Sequence, residues 1–272
     1  MIMKRRMGLS GKFISALFII SVFGCGGISN DSPKRLEDKP QSAIHGFPDW
    51  FWNMSSNESQ ILAVGYSENY FREESSKAQA LQNGLETLAK SISVRIKGEQ
   101  GFWNVGSQMA IAGDFEEAVD DGMLQRVGDN YKVLRTYKSE SMTIVLLSFG
   151  ETSNLDEIDN EAIKPAEVEP KWLKELPQTR GYIYAIGSSS QYFRETQSWL
   201  SAERNARVAL ASTLGIKLRG LVKQLDQQIE IVEAAEVDVE LNRAQILSRW
   251  VHPQMGIYYV LARMPLLDNK DA

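Results

Sequence analysis

The sequence predicts an α+β protein built from two tandem strand-helix-strand-strand units, each a small, mainly antiparallel sheet packed on a long helix. Three observations predict it: an internal repeat, a helical apolar period after a short strand in each copy, and a closing pair of strands joined by a tight turn. Residues 48–74 align with 170–196 at a constant shift of 122, through Pro48/Pro170, Trp50/Trp172, Ile61/Ile183, Ala63/Ala185, Gly65/Gly187, Ser67/Ser189, Tyr70/Tyr192, Phe71/Phe193, Arg72/Arg194 and Glu73/Glu195. Ten of 27 ungapped positions agree, where chance gives roughly one or two. The shift continues through Ser76/Ser198, Ala80/Ala202, Asn83/Asn205, Leu88/Leu210, Ala89/Ala211 and Gly98/Gly220. It then becomes 113, pairing Leu134/Leu247, Met142/Met255 and Ile144/Ile257, with Tyr137 opposite Trp250, so the first copy holds about nine extra residues near Gly101-Phe102-Trp103.

Residues 47–150 form the first repeat domain and 170–266 the second, followed by a short tail at 267–272. Ile61 to Tyr66 and Ile183 to Ser188 are apolar strands, each ending in residues that allow a sharp exit toward a helix. Ala78, Leu81, Leu85, Leu88, Ile92 and Ile96 recur at helical spacing, as do Ala206, Leu210, Leu214, Leu218, Leu221 and Leu225. A second helical piece is expected at about Phe115 to Val127 and at about Ile229 to Leu241. Strands Tyr131 to Lys138 and Met142 to Phe149 close the first unit, and Ala244 to Val251 and Gly256 to Arg263 the second. The gaps Ser139-Glu140-Ser141 and His252-Pro253-Gln254 suit hairpins. Residues 151–169 are acidic with few large apolar side chains, which predicts a solvated linker. Open sheet edges leave two outcomes: the units join into one larger sheet, or strands pair between molecules.

The start of the chain reads as an address. Lys4, Arg5, Arg6 and Lys12 precede an apolar run from Phe13 to Phe23, far shorter than the roughly 20 residues of a spanning helix, so residues 1–24 read as a secretory signal. Val22-Phe23-Gly24-Cys25 resembles the lipobox of bacterial lipoproteins, in which cleavage between Gly24 and Cys25 leaves a Cys that carries the lipid. Residues 25–46, rich in Gly, Ser, Asp, Lys and Pro, read as a flexible tether. Gly26 stands where an inner-membrane retention signal usually places Asp, so the resemblance implies the outer membrane.

With 43% hydrophobic and 24% charged residues the chain is neither disordered nor fibrous. Its one Cys allows no internal disulfide and no thiolate-rich metal site. Loss of residues 1–24 removes four basic residues and no acid, leaving 26 basic against 35 acidic residues and a formal charge of −9 in place of −5. Such a balance does not suit nucleic acid.

The lipoprotein start, the Pro-x-Trp, the strands ending Ala-Val-Gly-Tyr-Ser or Ala-Ile-Gly-Ser-Ser, and the Ala-rich helix from Ser201 to Ala211 resemble the Lpp-twenty lipoprotein family. Copy one departs from this pattern where Gln82, Leu85 and Glu86 replace Arg204, Arg207 and Val208. The resemblance implies a non-enzymatic envelope lipoprotein, anchored by acylated Cys25, that works by contact with other envelope proteins or copies of itself, some relatives being flagellum-associated. The alternative is a ligand-binding lipoprotein that recognises cell-wall glycan or an extracellular molecule.

Other candidate chemistry is weak. Asp114, Glu116, Glu117, Asp120 and Asp121 lack the spacing of a calcium loop and read as a solvated helix face. His45 and His252 have no visible partners for a metal or a nucleophile, and Gly187 to Ser190 lacks a nucleophile elbow. No catalytic residue, metal or cofactor is expected. The duplicated Tyr-Phe-Arg-Glu is expected to cap the core with its aromatics, with Tyr70, Arg72, Tyr192 and Arg194 as the contact residues if it meets a partner. Trp50, Trp172 and Trp250 are expected in the core, while Trp52 and Trp103, without aromatic counterparts, are the expected exposed contacts.

Overall fold

The computed structural model describes residues 46–54, 60–105, 108–112, 114–150, 159–226 and 234–266, with side chains described except at 99–112, 216–226 and 234–236. Strand β1 (Phe47–Pro48) and the one-turn helix α1 (Asp49–Trp52) open the first copy. They are followed by β2 (Gln60–Glu68), α2 (Glu73–Ile92), β3 (Ser93–Val105), β4 (Gln108–Ala112), β5 (Phe115–Ala118), α3 (Asp121–Asn130), β6 (Tyr131–Lys138) and β7 (Met142–Gly150). The second copy is entered through β8 (Ala162–Ile163) and α4 (Lys171–Lys174). It holds β9 (Tyr182–Ser190), α5 (Glu195–Asp226), β10 (Ala234–Asn242), β11 (Gln245–Val251) and β12 (Ile257–Pro265).

Each copy is a three-stranded antiparallel sheet with a long helix, in the order β2-β7-β6 in the first and β9-β12-β11 in the second. The last strand is central in both, so one topology is used twice. The residues shared between copies are those that seat helix on strand. A Cβ at Gly65 would overlap the backbone of Ala80 and Gly84, and one at Gly187 the backbone of Ala202 and Ala206. Only a residue without a side chain lets the helix lie this close to the sheet. The Oγ of Ser76 accepts the Tyr70 N–H at 2.8 Å, and that of Ser198 accepts the Tyr192 N–H at the same distance. Asn83 accepts the Tyr66 N–H at 3.0 Å, and Asn205 donates to the Ser188 carbonyl at 2.8 Å. Both asparagines thereby satisfy backbone groups on an edge strand, which would otherwise be left unmade.

The two sheets remain separate, and a third sheet joins the copies. β3 pairs antiparallel with β10 from Ser93↔Asn242 to Gly101↔Ala234, and also with β4 and β5. Val94, Ile96, Val237, Val239 and Leu241 are buried on one face. Arg95 on the other face makes a two-pronged contact with Asp238 at 2.6 and 2.7 Å. This arrangement corrects two expectations. The helical stripe stops at Ile92, and Ile96 belongs to a strand, because Val94-Arg95-Ile96-Lys97 alternates with period two and carries β-branched residues. The second helical piece of copy two is instead strand β10, where Val237-Asp238-Val239-Glu240-Leu241 alternates in the same way. In copy one the expected piece divides into β5 and α3, with Asp120 capping α3 by accepting the Met123 N–H at 3.3 Å.

Burial follows from this stacking. β2 is buried along almost its whole length, because α2 covers one face while the other face enters a core shared with copy two. Leu62, Val64, Tyr66, Ile144 and Leu146 belong to that shared core together with Trp199, Ala202, Leu210, Ile246 and Val260. β9 alternates between buried and part-exposed residues, as a strand covered on one face does. The acidic connection is exposed over residues 159–169 apart from half-buried Pro165, and it is tied down by indoles. Trp50 donates to Asn160 Oδ1, Trp52 to the Ile163 carbonyl and Trp250 to the Ala166 carbonyl, while β8 pairs with β1.

Candidate functional site

Helix α5 is buried on more than one side, and it carries charge inward. Ala202 and Ala206 lie against Gly187 of its own sheet. The next residues along, Glu203 and Arg207, are buried as well. Arg249 of β11 donates to Glu203 Oε1 through Nη2 at 2.6 Å and Nε at 3.2 Å, and to the Phe51 carbonyl through Nη1 at 2.8 Å. Its guanidinium lies over the Phe51 ring, 4.9 Å from the centroid, where the cation meets the negative face of the ring. Tyr66 of β2 donates its hydroxyl to Glu203. Arg207 reaches the other way, to Glu117 of β5, with Nε 2.7 Å from Oε1 and Nη2 3.3 Å from Oε2. Lys90 of α2 closes the chain, 3.1 Å from Glu117 and 2.8 Å from Glu86.

Tyr66, Lys90 and Glu117 come from copy one and Glu203, Arg207 and Arg249 from copy two, so the ion network spans the seam between them. Burial, reinforced by Glu203 and opposed by Arg249, pushes the Tyr66 hydroxyl far above the usual tyrosine range. Burial also works to raise Glu117, but Arg207 and then Lys90 outweigh it and hold the carboxyl below its usual range. Glu203 Oε2 and Arg207 Nη1 make no hydrogen bond and lie 4.0 Å apart, held by charge alone. Together these groups clamp five elements, β2, α2, β5, α5 and β11.

Above the Arg207–Glu117 pair, a groove of about 600 Å³ opens between α2 and α5. Its cations are Lys90, Arg194, Arg204 and Arg207, against Glu86 and Glu117, and Leu200 supplies apolar wall. Arg204 is held at the rim by a hydrogen bond to the Phe115 carbonyl. The lining is cationic although the chain is acidic, and a concave surface concentrates that potential.

Several expected contact residues are placed differently. Trp52 is buried rather than exposed: its indole N–H is shared between the Phe47 and Ile163 carbonyls, each 3.1 Å away, and its ring meets Phe47, Phe51 and Trp199. The backbone of Trp103 is in β3, and its side chain lies outside the described residues, as do Gly24, Cys25 and His45. Tyr70, Arg72, Tyr192 and Arg194 are exposed, in equivalent turns at the starts of α2 and α5. Phe71 and Phe193 do not cap the core but project fully into solvent. Glu117 leaves the acidic cluster for the interior, while its neighbours remain exposed. His252 serves its own turn, its Nδ1 accepting the Gln254 and Met255 N–H groups at 3.3 Å. Among the described residues no group of three or more His, Cys, Asp or Glu is placed to hold a metal.

Comparison with protein-family models, with curated proteins and with solved structures finds no match. The buried network therefore stands on its own geometry, and its residues carried a signal in the sequence. Glu203, Arg207 and Arg249 replace Leu81, Leu85 and Thr136 of the first copy at the same two shifts. A charge at a position that is apolar in the other copy, on a helix stripe holding Ala206 and Leu210, marks a buried ion pair.

Proposed function

We propose that the chain is a non-enzymatic lipoprotein of the bacterial outer membrane, of the kind the Lpp-twenty resemblance implies. It is anchored by lipid on Cys25 and has a structural or assembly role through contacts with other envelope proteins. The observation that carries this reading is the cationic groove between α2 and α5, open to solvent in a chain of negative net charge. Its chemistry fits an acidic protein segment with an apolar residue for the Leu200 wall. Lys90 and Arg207 are already committed to Glu117, which suits a rigid docking surface more than a reaction centre. The glycan-binding alternative loses one of its two candidate contacts, because the ring of Trp52 is packed inside.

Crosslinking of the mature chain in cell envelopes, read by mass spectrometry, tests the contact role. The expected result is a stable complex that Arg204→Glu weakens severalfold while the melting temperature is unchanged. A chain that stays monomeric and sediments with purified peptidoglycan overturns the reading. Cys25→Ser is expected to abolish lipid labelling and release the protein; retained labelling overturns the anchor. Co-isolation with flagellar basal structures separates the flagellar role from other envelope roles.

A further inference from the structure

We infer that the Tyr70-Phe71-Arg72 and Tyr192-Phe193-Arg194 turns form one rim that inserts its phenylalanines into the lipid surface to which the chain is tethered. The inference rests on the lipid-anchor reading for its geometry and goes beyond it in giving the folded part a membrane-facing end.

The first observation is exposure. Phe71 and Phe193 are 105% and 104% exposed, flanked by Tyr70 and Tyr192 at about half exposure. An isolated apolar side chain at the surface is ordinary, but two fully exposed ones at equivalent turn tips form a repeated feature. Neither has a packing role in its copy. The turns are themselves well fixed, each by the N–H of its tyrosine donating to a serine hydroxyl six residues later, Tyr70 to Ser76 and Tyr192 to Ser198.

The second observation is that the two turns share one end of the molecule. Arg194 pairs with Glu68, three residues before Phe71, at 3.1 Å. Ser141 donates to Glu195 at 2.7 Å, and Asn69 donates to the Ser139 and Glu140 carbonyls of the same hairpin. The β11–β12 turn adds exposed Met255, and its neighbour Gly256 lies against Gln191.

The third observation is where the chain enters. Tyr137, next to that hairpin, donates its hydroxyl to the Gly46 carbonyl at 3.5 Å, so the tether joins the fold close to the aromatic end. About 20 residues separate Cys25 from Gly46, and on the tether reading proposed above a length of that order bridges roughly 25 Å on average. An anchored chain therefore holds this end within reach of the bilayer, at an effective concentration in the millimolar range. Weak insertion suffices under those conditions. Aromatic and arginine side chains together suit the lipid interface, where one part is apolar and the other wet. Arg72, Lys77, Lys138 and Arg194 are slightly outnumbered by Glu68, Glu73, Glu74, Glu140 and Glu195, so this end does not attract anionic lipid, and its contact with neutral lipid should change little with salt.

The test uses the mature chain, residues 25–272, with Cys25→Ser, so that no lipid is attached and no thiol remains. Phe71→Cys, Phe193→Cys and, at the far end beside β9, Gln178→Cys are each labelled with an environment-sensitive fluorophore. They are then mixed with vesicles of phosphatidylethanolamine and phosphatidylcholine. Blue shifts at 71 and 193 with none at 178 are expected, together with a roughly tenfold lower vesicle-bound fraction for the Phe71→Ser/Phe193→Ser double variant. Equal shifts at all three positions, no shift at either phenylalanine position, or unchanged binding by the double variant overturns the rim. Circular dichroism of the double variant, expected to match the parent because both side chains are in solvent, keeps a loss of binding from being a loss of fold. The anchor is judged separately, by the mass of Cys25 in the native protein. Vesicle insertion by a chain whose Cys25 carries no lipid in cells would sink the anchor alone, and a lipidated chain without insertion would sink the rim alone.

Discussion

Glu117 shows how one residue couples two copies. Its carboxylate is buried between Arg207 and Lys90, and removing one partner of a buried pair costs about 3–5 kcal/mol because the other charge is left uncompensated. Glu117→Gln keeps the shape and loses the charge, so urea denaturation at neutral pH should find it less stable by about 3 kcal/mol. The folded carboxyl lies below its ordinary value of 4.5. The stabilisation is therefore complete above that value and is lost as pH falls through 4.5 toward the folded one. The gap between parent and variant should close over that acid range. A gap of constant size from pH 7 to pH 3 would mean that the charge contributes nothing. Tyr66, pushed in the opposite direction, stays protonated across neutral pH and adds no pH dependence there.

At the scale of elements, the repeat made most of the fold legible. Strand Tyr131 to Lys138 is as the alternation predicts, and the other core strands differ from expectation by a few residues at their ends. Gly65, Ser76, Asn83 and their equivalents recur because each does one local job, and local jobs leave identities in a sequence. The third sheet was harder to read, since β3 and β10 occupy non-equivalent places in the two copies and pair across 143 residues at Arg95 and Asp238. Their period-two pattern competes with a helical stripe that runs on from α2, and only the partner strand decides between them. The exposed phenylalanines were misread for a related reason: an aromatic beside a helix start looks like core unless the space beneath it is known to be filled. Ile96 is a direct test of the strand assignment. It is fully buried opposite Val239, so Ile96→Ala should cost about 2–5 kcal/mol. Lys97→Ala, at the next position and exposed, should change stability by less than about 0.5 kcal/mol. Equal effects at the two positions would contradict the inward–outward alternation that defines β3 here.

Among the described residues, the two repeats share one core, and copy one adds a second beneath α2. In copy one, α2 covers one face of the first sheet, and the opposite face, with Leu62, Val64, Tyr66, Ile144 and Leu146, is covered by residues of copy two. Copy two in turn relies on Phe47, Phe51 and Trp52, since Trp199 packs edge-on against Phe51 at 5.2 Å and Arg249 donates to the Phe51 carbonyl. Splitting the chain at the acidic connection would expose these apolar faces and leave Glu203 without Tyr66 and Arg207 without Glu117. A three-stranded sheet with one bare face is marginal by itself. Residues 47–150 and 170–266 made separately should therefore show weak near-ultraviolet circular dichroism and aggregate. Mixing them should restore part of the native signal. The intact chain should unfold in one transition by fluorescence and by circular dichroism, as a single cooperative unit does. Two resolved transitions, or either half folding alone with a sharp melt, would show that the seam is a contact between finished domains. The short connection then has a physical role: it keeps the concentration of one half around the other high enough for the charged groups to find their partners during folding.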